Sequence, residues 1–340
     1  MACGVMLGVA NAAAGADAAP QPLFADSAAL EITLEGPFRT LGRERLDEPE
    51  LPALLRYLQP NGRQIILDVQ VKPRGISRLR NCGFPPLRLN FKQDTVAGTV
   101  FEGQDTLKLV THCTRSSSSR DSVAREYQVY RSYNLLTERS FRVRWALIEY
   151  VDTESRRKPF TEPGFLIEED WAVAARLGMQ TLAVESLDIA ELDQSETTLM
   201  ALFQFMIGNT DWSVLRGPPG EFCCHNGKVI TPVGQTTGRM VLPYDFDQAN
   251  FVDAEYAVHN ESRGLRRNGH RYWGLCAMNE HVAAASARVA EVKQDWLSLV
   301  DAEPVSERGR RRGVGYIADG YEIIADSTRL ERSIIGNCRP

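Results

Sequence analysis

The chain lacks any apolar run long enough to cross a bilayer. It also lacks a surplus of positive charge. Among 340 residues there are 39 Lys and Arg against 44 Asp and Glu, a net charge of −5, which gives no reason to expect nucleic acid as a partner. The one dense basic run, Arg308 to Arg312, sits between two expected helices and reads as a solvated connection. No internal repeat is present. No G-x-G-x-x-G loop occurs, and no G-x4-G-K-[ST] loop; "GKVI" at Gly227 lacks both the preceding glycine and the hydroxyl. No pair of cysteines has the C-x2–4-C spacing of a structural zinc site, so Cys223, Cys224 and His225 make a weak one.

With 43% hydrophobic residues, the chain can bury one large core or two lobes. Residues 1–19 read as a signal peptide or a disordered tail. Ala2 to Gly15 is small and apolar, and "ADA" (Ala16 to Ala18) fits a cleavage site, although the basic n-region is missing. The expectation is an exported, periplasmic or envelope protein, with a cytoplasmic one as the alternative. Beyond Cys3 the cysteines are Cys82, Cys113, Cys223, Cys224, Cys276 and Cys338. An even set permits a disulfide framework in an exported chain and buried thiols in a cytosolic one. Cys223 and Cys224 are expected to reach other partners, because adjacent cysteines bond only with strain.

The N-terminal half reads as strands. Ala29 to Glu35, Arg63 to Lys72, Pro86 to Lys92 and Thr106 to Cys113 alternate apolar and polar residues. A helix is expected over Asp121 to Thr137, carrying Glu126 on the same face as Val129, Tyr130 and Tyr133. A buried glutamate calls for a cation. Strands follow at Arg142 to Asp152 and Gly164 to Glu169. The second half turns helical. Ser195 to Asn209 is apolar nearly all round, as a buried helix is, with Gly208 as its stop. A short strand is expected near Lys228 to Ile230, and helices over Cys276 to Asp301 and Val314 to Asp326.

The stretch "RMVLPYDFDQANF" (Arg239 to Phe251) drives an apolar strand into Asp245 and Asp247. Residues two apart on an extended strand face the same way. Two neighbouring carboxylates are costly without a cation between them, and hard divalent cations take carboxylate oxygens. A solvated strand end is the plainer alternative. Before this stretch come a strand lysine (Lys108), a glutamate on the next helix (Glu126), and Asn209 and Asp211 after the buried helix. Lysine, glutamate, aspartate and a later Asp-Phe-Asp, in that order, follow the logic of a phosphoryl-transfer site between two lobes.

In these stretches, from Lys72 to Val252 and above all "TLKLVTHC", "FQFMIGNTDWSV", "CCHNGK" and "LPYDFDQANFV", the sequence resembles the CotH kinase-like family of atypical kinases, and an uncharacterised bacterial branch related to it. The Asn-Thr-Asp after an apolar helix is also similar to HipA-type kinases. The resemblance implies an α+β, kinase-like two-lobed fold: a β-rich N-lobe with one helix over 25–170, and a mainly helical C-lobe with the catalytic and metal motifs over 171–340. It implies ATP with Mg²⁺ or Mn²⁺ as cofactors and a protein hydroxyl as acceptor. Residue by residue, Lys108 would contact phosphates and pair with Glu126, and Asp211 would be the catalytic aspartate. Asn226 and Asp245 would hold metal with help from Asp247, and the basic turn Arg74 to Arg78 would stand in for a glycine-rich loop. The catalytic stretch departs from His-Arg-Asp, and the segment between Asp211 and Asn226 is long for a kinase loop. The competing function is a pseudokinase or an envelope binding protein. A two-carboxylate glycosidase is set aside, since Asp245 and Asp247 sit too close together to flank a glycosidic bond.

Overall fold

The computed structural model describes residues 21–154, 158–258 and 264–340. The leader expected over residues 1–19 lies outside them. Period-2 alternation produces the first layer. Strands β1 (Leu30–Gly36), β2 (Leu51–Leu58), β3 (Gln64–Pro73), β4 (Leu87–Phe91), β5 (Thr106–Val110), β6 (Val143–Asp152) and β7 (Phe160–Ile167) form a closed barrel in the order β1-β2-β3-β4-β5-β7-β6. Neighbours pair antiparallel, except that β1 closes the ring by pairing parallel to β6, Leu30 opposite Ala146 through Gly36 opposite Asp152. The alternating residues Leu55, Leu67, Val69, Leu89, Leu107, Leu109, Ile148 and Leu166 fill the interior. Strand β2 escapes sequence reading because Pro52 and the Leu54–Leu55 pair blur its alternation.

One arc of the barrel wall is apolar on both faces. Val110, Val143, Trp145, Phe165 and Ile167 belong to a second core, which they share with the long helix α3 (Ser117–Leu136). Helix α3 starts where the Ser116 side chain accepts from the Ser119 amide. It lays Tyr127 against Trp145 and Phe165, with ring centroids 5.2 and 5.8 Å apart. Gly164 permits the close approach of β7 to its neighbours, since a Cβ there would lie 2.6 Å from the Val110 carbonyl. The N-terminal part holds two short helices besides α3, α1 (Phe38–Arg43) and α2 (Ser77–Asn81), where one helix was expected.

The rest of the chain packs on that second core. Helix α4 (Asp170–Arg176) leads to a three-stranded sheet of β8 (Met179–Thr181), β9 (Gly227–Pro232) and β10 (Met240–Pro243), ordered β10-β9-β8. Helix α5 (Gln194–Ile207) is capped by Asp193 and buried nearly all round, as its composition requires. Phe203 stacks on Trp296 at 5.5 Å. Helices α6 (Val282–Glu291), α7 (Lys293–Val300), α8 (Glu307–Ala325) and α9 (Ser327–Ser333) complete it. The helix expected over Cys276 to Asp301 is broken into a 3-10 turn, Cys276–His281, followed by α6 and α7. The basic run Arg308 to Arg312 is not a connection: it lies on the first turns of α8, where Ser306 accepts from the Gly309 amide and caps the helix. Its apolar stripe is obscured in the sequence by glycines, of which Gly309, Gly313 and Gly320 lie buried. The architecture is α+β.

Three disulfides join Cys82 to Cys113, Cys223 to Cys224 and Cys276 to Cys338. The vicinal bridge corrects the expectation that these cysteines look elsewhere. The peptide bond between them is cis, which brings their Cα atoms to 3.0 Å. With both sulfurs bonded, Cys223 and Cys224 offer no thiolates for zinc. Among the described residues no helix is long and apolar enough to cross a membrane.

Candidate active site

A cavity of about 840 Å³ opens where β5, α2 and α3 face the sheet β8–β10. All eight residues singled out in the sequence line it: Arg74, Arg78, Lys108, Glu126, Asp211, Asn226, Asp245 and Asp247. They come from elements spread over more than half the chain, and each arrives for a local reason.

Asp211 is delivered by the end of α5. Gly208 takes the left-handed conformation, φ 64°, that stops the helix, and a Cβ there would collide with the Tyr316 hydroxyl. The Asn209 side chain then accepts from the Asp211 amide at 2.9 Å, an Asx turn. Trp212, buried, donates to the Asn209 carbonyl at 3.1 Å and pins the turn. The long segment that follows folds back on itself: the Ser213 amide donates to the His225 carbonyl at 3.0 Å. Asn226 therefore reaches Asp211 despite the intervening residues. Its Nδ2 donates to the Asp211 carbonyl at 2.6 Å and to Oδ2 at 3.0 Å, while His225 Nε2 stands 2.9 Å from Oδ1. Asn226 takes a left-handed φ of 50° to do so.

Asp245 and Asp247 follow β10, but not as an extended pair. Asp245 turns into the left-handed region, φ 61°, its amide donating to the Tyr130 hydroxyl at 3.0 Å. Both carboxylates still line the cavity, and Phe246 is buried in the core, 4.8 Å from the Tyr130 ring. Among the described residues no donor reaches the Asp245 carboxylate. It is half-buried, open to the cavity yet deep within the molecule. Burial, reinforced by the Asp247 charge, raises its pKa to about 7, against the pull of Arg78.

The ion pairs differ from the expected ones. Lys108 bonds Glu169, not Glu126. The reason is register: Lys108 on β5 sits opposite Ile167 on β7, and Glu169 lies two residues beyond, on the same side. Glu126 instead holds Arg78, Nη2 to Oε2 at 2.5 Å, and the same guanidinium reaches Asp247 through Nε at 3.1 Å. All three side chains are buried. Burial works against the Arg78 charge, but Glu126 and Asp247 outweigh it and keep the guanidinium protonated. Burial raises the Glu126 pKa, partly offset by Arg78. Burial likewise lowers the Lys108 pKa, with Glu169 opposing.

Sequence reading gave no role at this site to Glu169, His225, Tyr130 or Lys228, which stand in or beside the cavity, although it noted His225 in a weak zinc set and Tyr130 on the helix face of Glu126. His225 adjoins Asn226 in "CCHN" and could have been found from that motif. Glu169 emerges only once β5 and β7 are known to pair. The cavity lining carries both signs of charge: Arg74, Arg78, Lys108 and Lys228 are cationic, and Glu126, Asp211, Asp245 and Asp247 are acidic. Such a site suits a phosphate-bearing ligand with a hard cation. Among the described residues no three His, Cys, Asp or Glu side chains group closely enough to form a metal cage. Comparison with known protein families and with curated proteins finds no match to this chain.

Proposed function

We propose that the chain is an ATP- and divalent-metal-dependent phosphotransferase of kinase-like, two-lobed build, acting on a protein hydroxyl. The observation that carries this reading is that Lys108, Asp211, Asn226 and Asp245 line one cavity. The barrel side, with its own core, stands as the nucleotide-facing lobe, and the α5 side stands as the lobe carrying Asp211 and Asp245.

The residues fit a hard cation. Among the described residues no donor reaches the Asp245 carboxylate, and its ionisation is opposed by burial and by Asp247; a divalent ion would remove that opposition. Asn226 spends its Nδ2 on Asp211 and lines the same cavity, where its amide oxygen would serve as a ligand. Few protein ligands suffice for Mg²⁺, which takes most of its oxygens from phosphates and water. When bound, the ion would neutralise phosphate charge. Lys108, fixed by Glu169, and Arg74 would orient the phosphates. Asp211, its carboxylate oriented by His225 and Asn226, would accept the proton of the attacking hydroxyl.

A second reading rests on Asp247. Its charge is already met by Arg78 at 3.1 Å, which leaves Asp245 as the one strong metal ligand and favours a nucleotide-binding pseudokinase. Thermal-shift titration with ATP and Mn²⁺ separates the readings. A metal-dependent rise lost in Asp245→Ala, with phosphate transfer lost but nucleotide binding kept in Asp211→Asn, supports the transferase. A rise without metal dependence supports the pseudokinase. No rise at all sinks both.

A further inference from the structure

A second cavity, of about 650 Å³, shares no lining residue with the first. Its wall is a cluster of rings. Phe84 stacks on His112 at 4.7 Å with planes 16° apart, and Tyr150 stacks on Phe160 at 5.3 Å with planes 26° apart. Two polar atoms lie behind this wall, out of reach of solvent and with no partner among the described residues: the Tyr150 hydroxyl and Nδ1 of His112. Burial pushes the His112 imidazole down to about 4, so the ring is neutral near pH 7. The rim is cationic. Arg39, Arg115 and Lys158 are exposed there, and Arg115 lies over the Phe160 ring at 4.9 Å. Asp152, the one acid lining this cavity among the described residues, accepts from the Arg39 and Glu154 amides at 3.4 and 3.3 Å.

We propose that this cavity binds a small planar aromatic carboxylate, its ring against Phe84 and its anionic group among the rim cations. The volume is that of an ordinary small-molecule site, and aromatic walls with a few placed polar atoms select flat ligands. The assignment is independent of the phosphotransferase reading.

Isothermal titration with 4-hydroxybenzoate and indole-3-acetate tests it, with 4-hydroxybenzamide as the uncharged control and cyclohexanecarboxylate as the non-aromatic one. At least one of the two acids binds, and the controls bind about tenfold more weakly or not at all. Arg115→Ala, at an exposed position that leaves the fold intact, weakens the acid by about tenfold, while Lys108→Met in the other cavity leaves it unchanged. Failure of both acids to bind overturns the proposal. So does equal binding of acid and amide, an unchanged affinity in Arg115→Ala, or a loss in Lys108→Met.

Discussion

Replacing Asp245 by asparagine should make the protein more stable, and only on one side of a pH window. The Asp245 pKa rises from 3.8 to about 7 on folding, chiefly through burial. The folded state therefore holds this proton more tightly than the unfolded state, and ionisation opposes folding. Below about pH 4 the carboxyl is protonated in both states and no penalty exists. Between about pH 4 and 7 the penalty grows, and above about pH 7 it is complete. Three pKa units correspond to about 4 kcal/mol. Water in the open cavity screens the charge and reduces this to about 2–3 kcal/mol. Asp245→Asn keeps the shape and removes the charge. In urea titrations with EDTA, the variant should match wild type at pH 4 and exceed it by about 2 kcal/mol at pH 8. Adding Mn²⁺ at pH 8 should stabilise wild type and leave the variant unmoved. A variant less stable than wild type at pH 8, or a difference that does not change with pH, would refute the electrostatic account of this site.

Two other perturbations test the frame around the cavity. Arg78→Met leaves Glu126 and Asp247 buried without their cation, so chemical denaturation at pH 7 should register a loss of about 3–5 kcal/mol. Adding Glu126→Gln to that variant should recover part of the loss, whereas a strictly additive double variant would contradict a shared triad. The Cys82–Cys113 bridge closes a loop spanning 31 residues between α2 and the end of β5. Its removal in Cys82→Ser with Cys113→Ser should cost about 3–4 kcal/mol, read as a lower urea midpoint without reductant.

Much of the architecture is legible in the chain, because period 2 and period 3.6 mark the faces of its elements. Ile65, Leu67, Val69 and Val71 announce β3, and the all-apolar α5 announces a buried helix. The candidate site is legible as a list of residues, since Lys108, Glu126, Asp211 and Asp245 each break a local pattern: a charge in a strand, on an apolar helix face, after a helix stop, at a strand end. Their partners are another matter. That Lys108 meets Glu169 depends on β5 lying beside β7, a pairing that skips the intervening β6 and leaves no trace in local spacing. That Glu126 meets Arg78 depends on how the five-residue helix α2 docks, and so short a helix has no periodicity to read. The run Arg308 to Arg312 misleads for the opposite reason: helical positions facing solvent can be all arginine, and composition alone cannot tell an exposed helix face from a linker.

The parallel pairing of β1 with β6 sets the order in which the barrel can be assembled. Each of the pairings β1–β2 through β4–β5 forms between near neighbours in the chain. The last seam joins residues as far apart as Thr33 and Glu149, 116 positions on. On a ribosome, β1 is made early and must wait for β6 with one edge unpaired. Closing so long a loop is slow, and an open apolar strand edge is where another chain can add on. Conditions that delay synthesis between β5 and β6 should therefore favour aggregation of the nascent chain over folding. Once the seam closes, the barrel presents no free edge, so the hazard belongs to the growing chain and not to the finished protein.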